Sequence, residues 1–265
     1  MYSVREQAKE DLRGVLQKVK EFGYSGVEFA GLHGHDPLEV KQMCEEIGLV
    51  PLSAHVPFVD LMGKMEETIE CYHKVGCKYV VIPYLTPEYS PGEKGFDEVI
   101  EGAKKIGEAL KKYDMVLQYH NHDFEFTKLD GEYALDILYK EVGPDLLQTQ
   151  LDTCWVNVGG ENPSGYVKKY AGRIPTVHLK DFAGSKSEKM YALIGIDDDK
   201  KEETKGTFEF RPVGKGVQNF KSIVAAADEG GAEWFIVEQD SPSMGYTALE
   251  CAKISVDYLL NEIAE

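Results

Sequence analysis

Four of the seven histidines, His55, His120, His122 and His178, fall at or just past the ends of short apolar runs, as do Asp152, Lys180, Glu238 and Asp240. Leu151-Asp152, Val177-His178 and Val237-Glu238 each place a polar group straight after an apolar one. A carboxylate in a buried strand is costly unless it is paired or holds a metal. Imidazole and carboxylate donors together suit Mn²⁺, Mg²⁺, Zn²⁺ or Co²⁺, and the lack of a matching thiolate argues against a structural zinc site. Lys180 follows His178 by two positions, so on a strand it points the same way. Among carboxylates it is either an ion-pair strut or an electrophile. Glu28, Glu125 and Trp155 stand near comparable ends. Each residue also has a purely structural reading. Asp181 and Asp240 could cap helices, His55 could bond loop backbone, Glu28 could pair with a cation, Trp155 could be core, and Glu125 could be solvated. The set is stronger than its members, because independent accidents would not all land at the ends of apolar runs.

The elements that must position these residues follow one rhythm: an amphipathic helix, a glycine, then a short apolar strand. The spacing predicts helices over 7–22, 37–48, 60–75, 96–113, 131–141, 163–171, 217–229 and 245–262. Strands are predicted at 26–30, 52–58, 79–84, 115–119, 146–155, 176–182 and 233–238, with Tyr2-Ser-Val4 as a short eighth strand at the start. Strict alternation means parallel pairing. A doubly wound open sheet and a closed barrel both fit, and eight units in 265 residues favour the α/β (β/α)₈ TIM barrel as a single domain over 1–265. Barrel active sites lie at the C-terminal ends of the strands, where these polar residues fall. Residues 183–215 are polar and break the rhythm, as an exposed inserted loop or hairpin in a position suited to a lid.

Composition narrows the function classes. Acidic residues number 46 and basic residues 29, a formal charge of −17. That balance repels phosphate backbones and anionic lipid, and welcomes a metal cation. Apolar runs are far shorter than the roughly 20 residues of a membrane span. Five cysteines with no C-x-x-C pair read as reduced thiols in a cytoplasmic protein, and the first residues lack a signal-peptide layout. P-loop, dinucleotide and nucleophile-elbow motifs are absent.

Taken in order, Gly23-Tyr-Ser-Gly-Val-Glu28, Ser53-Ala-His-Val-Pro57, Tyr119-His-Asn-His-Asp-Phe-Glu125, Gln150-Leu-Asp-Thr-Cys-Trp155, His178-Leu-Lys-Asp181 and Val213-Gly-Lys-Gly216 resemble the xylose-isomerase-like TIM barrels of the sugar isomerase/epimerase group, with an inosose dehydratase-like branch. The resemblance covers nearly all of residues 2–262. It implies a divalent metal, Mn²⁺ foremost, held by His120, Asp152, His178 and Glu238. His120 stands where the ketose epimerases of the group have Glu, so His122 or Glu125 are alternatives for that ligand. It further implies Glu238 as base, Lys180 as donor to a developing oxyanion, and His122 as the second proton-transfer group. Glu28, His55, Glu125 and Trp155 would line the substrate pocket. The implied activity is isomerisation or epimerisation of a keto-sugar through a metal-stabilised enediolate. A dehydratase acting on an inosose or 3-keto-sugar, and a catalytically degenerate sugar-binding barrel, are the alternatives. The implied partner is a small carbohydrate, with no nucleic acid or membrane and a homo-oligomer left open. Abasic-site endonucleases of the same group use an additional His where Trp155 stands.

Overall fold

The computed structural model describes residues 1–186 and 207–264. Seven parallel strands make one sheet, paired in chain order: β1 (Gly26–Phe29), β2 (Val50–His55), β3 (Tyr79–Ile82), β4 (Val116–His120), β5 (Gln148–Asp152), β6 (Thr176–Leu179) and β7 (Trp234–Val237). Helices fill the connections, and the sheet curls into a nearly closed TIM barrel. Among the described residues β7 does not pair back onto β1.

The eighth strand expected at Tyr2-Ser-Val4 is not formed. Tyr2–Val4 is a 3-10 turn running straight into the helix Arg5–Glu10. The turn still bridges the open seam. The Met1 amine donates to the Glu28 carbonyl (2.6 Å), and Gln239 N donates to Ser3 Oγ (3.0 Å). Those contacts hold the tops of the two edge strands and leave no extended run of backbone between them. Below lies a groove of about 620 Å³ lined by Leu52, Trp234 and Ile236, among others.

Alternation sorts each strand into two faces. Outward residues such as Val80, Ile82, Leu117, Tyr119, Leu151, Val177 and Leu179 pack under the helices in the main core. At the bottom of the barrel interior, Leu52, Tyr79 and Val81 pack with Val116, Trp234 and Ile236. Nearer the mouth the interior turns polar, with Ser53, Gln118, Gln150 and Thr176 fully buried.

Capping chemistry sets the helix limits. Gly23 and Gly48 end their helices in the left-handed conformation that glycine tolerates. Asp36 accepts from Leu38 N and Glu39 N ahead of Pro37, opening Pro37–Ile47. The helix expected over 7–22 is two, because Asp11 leaves helical geometry to accept from Gly14 N (2.8 Å) and cap Leu12–Phe22. The helix expected over 60–75 divides into Phe58–Gly63 and Met65–Val75. The segment at 217–229 begins as a helix only at Phe220, capped by Asn219, and that at 245–262 only at Ala248, where Thr247 and Glu250 form a capping box. In 146–155 the strand ends at Asp152 and the chain turns into the helix Thr153–Val158.

The stem of the expected insertion is an antiparallel pair, Asp181–Ala183 against Glu209–Arg211. Most of 183–215, including the charged run Asp197–Glu203, lies outside the described residues. Among the described residues no helix is long and apolar enough to cross a membrane.

Candidate metal centre

The ends of β4, β5, β6 and β7 converge. One ligand-type atom each from His120, Asp152, His178 and Glu238 lies within 4.8 Å of the others, and all four residues are buried. Register explains part of this: Asp152 pairs with His178 across β5 and β6, and His120 with Gln150 across β4 and β5. His55, at the end of β2, forms a second compact set with His120 and His178.

The neighbours of each imidazole leave one ring nitrogen facing the cluster. His178 Nε2 meets Glu28 Oε1 (2.9 Å), and its Nδ1 faces Glu238 Oε2 (3.3 Å). His120 Nδ1 meets Gln150 Oε1 (3.2 Å), and its Nε2 lies 3.6 Å from Asp152 Oδ2 and 3.9 Å from Glu238 Oε2. Asp152 is both helix cap and cluster member. Its Oδ1 accepts from Cys154 N and Trp155 N, whereas its buried Oδ2 is held by ion-pair contacts, 3.1 Å from Lys180 Nζ and 3.6 Å from His120 Nε2. Two buried carboxylates and two inward ring nitrogens, one ligand-type atom from each, make a donor set that fits a divalent cation.

Two walls of opposite sign flank the cluster. Behind it, Glu28 accepts from Ser53 Oγ and Gln150 Nε2 (both 2.7 Å) on Oε2, with His178 and His55 each 2.9 Å from Oε1. Burial pushes the Glu28 carboxyl up, but His55 and His178 outweigh it and hold it well below the usual carboxylate range. Burial also works against a charged His178, yet Glu28 and Glu238 raise it to about 10. On the other side, Lys180 Nζ, 1 % exposed, lies 2.8 Å from Glu238 Oε2, 3.1 Å from Asp152 Oδ2 and 3.1 Å from Asp240 Oδ1. Burial disfavours its charge, and the carboxylates overcome that and raise it well above the usual lysine range. Its ammonium also lies over Trp155 and Phe210, 5.4 and 5.6 Å from the ring centres. Burial raises Glu238, and Lys180 and His178 reverse this, keeping it well below its ordinary value. Burial raises Asp240 to about 6 despite Lys180. Burial, seconded by His178, holds His120 well below the ordinary imidazole value, and burial with Lys180 does the same to His122.

The cluster opens into a cavity of about 1310 Å³ at the mouth, lined by His55, His120, His122, Lys180, Glu238 and Asp240 among others. Three residues expected to line the substrate pocket do not line this cavity. Glu28 lies behind His178, with both carboxyl oxygens engaged. Trp155 sits on the helix after β5, fully buried with Cys154, Phe182, Phe208 and Phe210. Glu125 is also fully buried, accepting from Tyr119 Oη (2.5 Å) and His122 N (2.8 Å). The carboxyl of Glu125 therefore does not reach the cluster as the alternative ligand, and burial raises it to about 8. Asp181 and Asp240 are not helix caps. Asp181 accepts from the backbone of Phe182, Gly214, Gly216 and Gln218, which explains Val213-Gly-Lys-Gly216 as a closing loop, and Asp240 holds Lys180.

Reading strand ends alone missed Ser53, Gln118, Gln150 and Thr176, the polar tier beneath the cluster. Gln150 links Glu28, His55 and His120, and Gln118 Nε2 donates to Thr176 Oγ1 (3.0 Å). Period two could have found them: Ser53-x-His55, Gln118-x-His120, Gln150-x-Asp152 and Thr176-x-His178 each repeat a polar residue on the inner face.

The chain is 26% identical over 278 residues to an inosose dehydratase of Geobacillus kaustophilus strain HTA426, covering 94% of this chain and 87% of that one. Its fold is similar to a sugar phosphate isomerase/epimerase from Parabacteroides distasonis, with TM-score 0.77 and 22% identity over 98% of this chain and 92% of the other. An L-ribulose 3-epimerase superposes with TM-score 0.70 and 15% identity, over 94% of this chain and 88% of the other. Residues 16–261 match the model of the xylose isomerase-like TIM barrels, and the chain belongs to that family.

Proposed function

We propose that this protein is a divalent-metal-dependent dehydratase acting on a keto-polyol of the inosose kind. His120 Nε2, Asp152 Oδ2, His178 Nδ1 and Glu238 would hold the metal, with Mn²⁺ as the working choice. When bound, the metal supplies Lewis acidity to the substrate's carbonyl. The similarity to inosose dehydratases supports the substrate class.

One observation carries the choice of reaction. Of the strand-end carboxylates, Glu238 and Asp240 line the cavity, and Asp240 has both oxygens on Lys180 (3.1 and 3.2 Å). That leaves Glu238 as the strand-end carboxylate able to move a proton. Where a second carboxylate would serve the opposite face of the substrate, His120 stands instead, kept neutral by burial. A single acid/base group suffices for elimination. Glu238, held ionised by Lys180 and His178, takes the proton from the carbon beside the carbonyl. The electron pair of that C–H bond forms the new double bond as the β-hydroxyl leaves. The hydroxyl carries off the proton from Glu238, and water is the product. Lys180 donates to Asp240 and is ion-paired with Asp152 and Glu238, so its part is to fix these carboxylates rather than to donate freely to substrate. His122, neutral and lining the cavity, would hydrogen-bond a substrate hydroxyl.

Epimerisation is the second reading, favoured by that same placement of His122, which could return a proton from another side. Incubating the Mn²⁺-loaded protein with an inosose in D₂O separates the two. Mass spectrometry should show loss of one water. An epimer carrying solvent deuterium with no water lost would favour the second reading, and an unchanged substrate would overturn both.

A further inference from the structure

We propose that the substrate is larger than a bare polyol, and that its keto-polyol head carries an aromatic substituent seated against the residues that follow β2 and β3. This rests on the reading that Glu238 and the cluster act on a keto-polyol.

The first observation is size. Pockets of roughly 300–1,000 Å³ house drug-sized ligands, and a bare cyclitol has only about twelve non-hydrogen atoms. A cavity of about 1310 Å³ leaves most of its space unused by such a head. The second is that the two ends of the cavity differ in chemistry. The ends of β4, β6 and β7 contribute His120, Lys180 and Glu238. The segments after β2 and β3, with the helix Met65–Val75, contribute Pro57, Val59, Tyr72, Tyr84 and Tyr89. Val59 is 44% exposed in the first turn of its helix, an apolar side chain presented to the cavity. The charges at this end are Asp60, Lys64 and Glu67, of which Lys64 and Glu67 pair with each other at 3.8 Å.

The third observation is that the arm is continuous with the cluster and already formed. Tyr84 packs edge-on against His122, ring centres 5.2 Å apart, and Tyr89 edge-on against Phe58, also 5.2 Å. An aryl group gains edge contacts from such rings.

Methyl β-glucoside and phenyl β-glucoside share a head and differ in the substituent, so isothermal titration of both into the Mn²⁺-loaded protein is the test. The phenyl compound should bind about tenfold tighter or more. V59D, which places a charge in the arm at an exposed position, should narrow that gap to about twofold or less. Equal affinities for the two glucosides would overturn the inference, and so would binding of neither. Turnover of a bare inosose on the same preparation decides the functional reading separately.

Discussion

The walls on either side of the cluster are both buried and both charged, yet they are built differently. Lys180 sits among three carboxylates, each an anion that must find a cation or a proton if the lysine is lost. Glu28 sits among Ser53, Gln150 and two imidazoles, and an imidazole can discharge by releasing a proton. The Lys180 wall is therefore brittle and the Glu28 wall adjustable. A metal site gains from both: one wall fixes where the carboxylates stand, and the other lets His178 change protonation as a cation arrives.

Glu238 touches both walls, so the largest effect is expected there. E238Q should lower turnover by about 10²–10⁴-fold while the far-UV circular dichroism spectrum stays that of the parent. Full activity in E238Q would remove the base from the scheme. Next comes the brittle wall. K180M should cost about 3–5 kcal/mol in urea unfolding, because it strands buried carboxylates. Adding D240N should restore part of that loss, since one stranded charge is then neutral. The contrast between the walls fails if K180M unfolds no more readily than E28Q. On the adjustable wall the effect should appear in metal affinity more than in stability. E28A should weaken Mn²⁺ binding about 10- to 100-fold in a chelator competition, with E28Q intermediate, as is typical for the partner of a ligating histidine. Unchanged affinity in E28A would mean that Glu28 does not orient His178.

The same contrast shows what could be read from sequence. The barrel was legible because strand and helix periods alternate and because Gly23, Gly48 and Gly76 mark helix ends. The meeting of His120, Asp152, His178 and Glu238 was legible because parallel strands bring their C-terminal ends to one rim. Depth along the barrel axis was not. Glu28 belongs to the tier below the rim, since it pairs in register with Ser53, and the irregularity between Val27 and Glu28 sets that pairing one residue on from the Leu52 that an unbroken register would give. Trp155 could not be placed because Asp152 ends its strand by capping a helix, so three residues on, the indole points into a different cluster. Tyr2-Ser-Val4 has strand-like composition, and contacts remote in sequence, at Glu28 and Gln239, decide its turn.

Glu125 sharpens the comparison as a third case, because it is as buried as Glu28 but has only neutral donors, Tyr119 Oη and His122 N. With no imidazole beside its oxygens, burial dominates and raises its pKa to about 8, against 4.5 for a free glutamate. The folded chain thus keeps a proton that the unfolded chain has released between those values, so stability falls as pH rises through that window and the loss is complete above it. From pH 6 to pH 8 this single group should cost on the order of 2 kcal/mol. E125Q, neutral throughout and able to donate to Tyr119 while accepting from His122, should lack that slope. Urea midpoints at pH 6 and pH 8 should therefore separate in favour of E125Q as pH rises. Parallel midpoints would mean that Glu125 is ionised in the fold, and that the neutral donors around it suffice to hold a charge as the imidazoles do for Glu28.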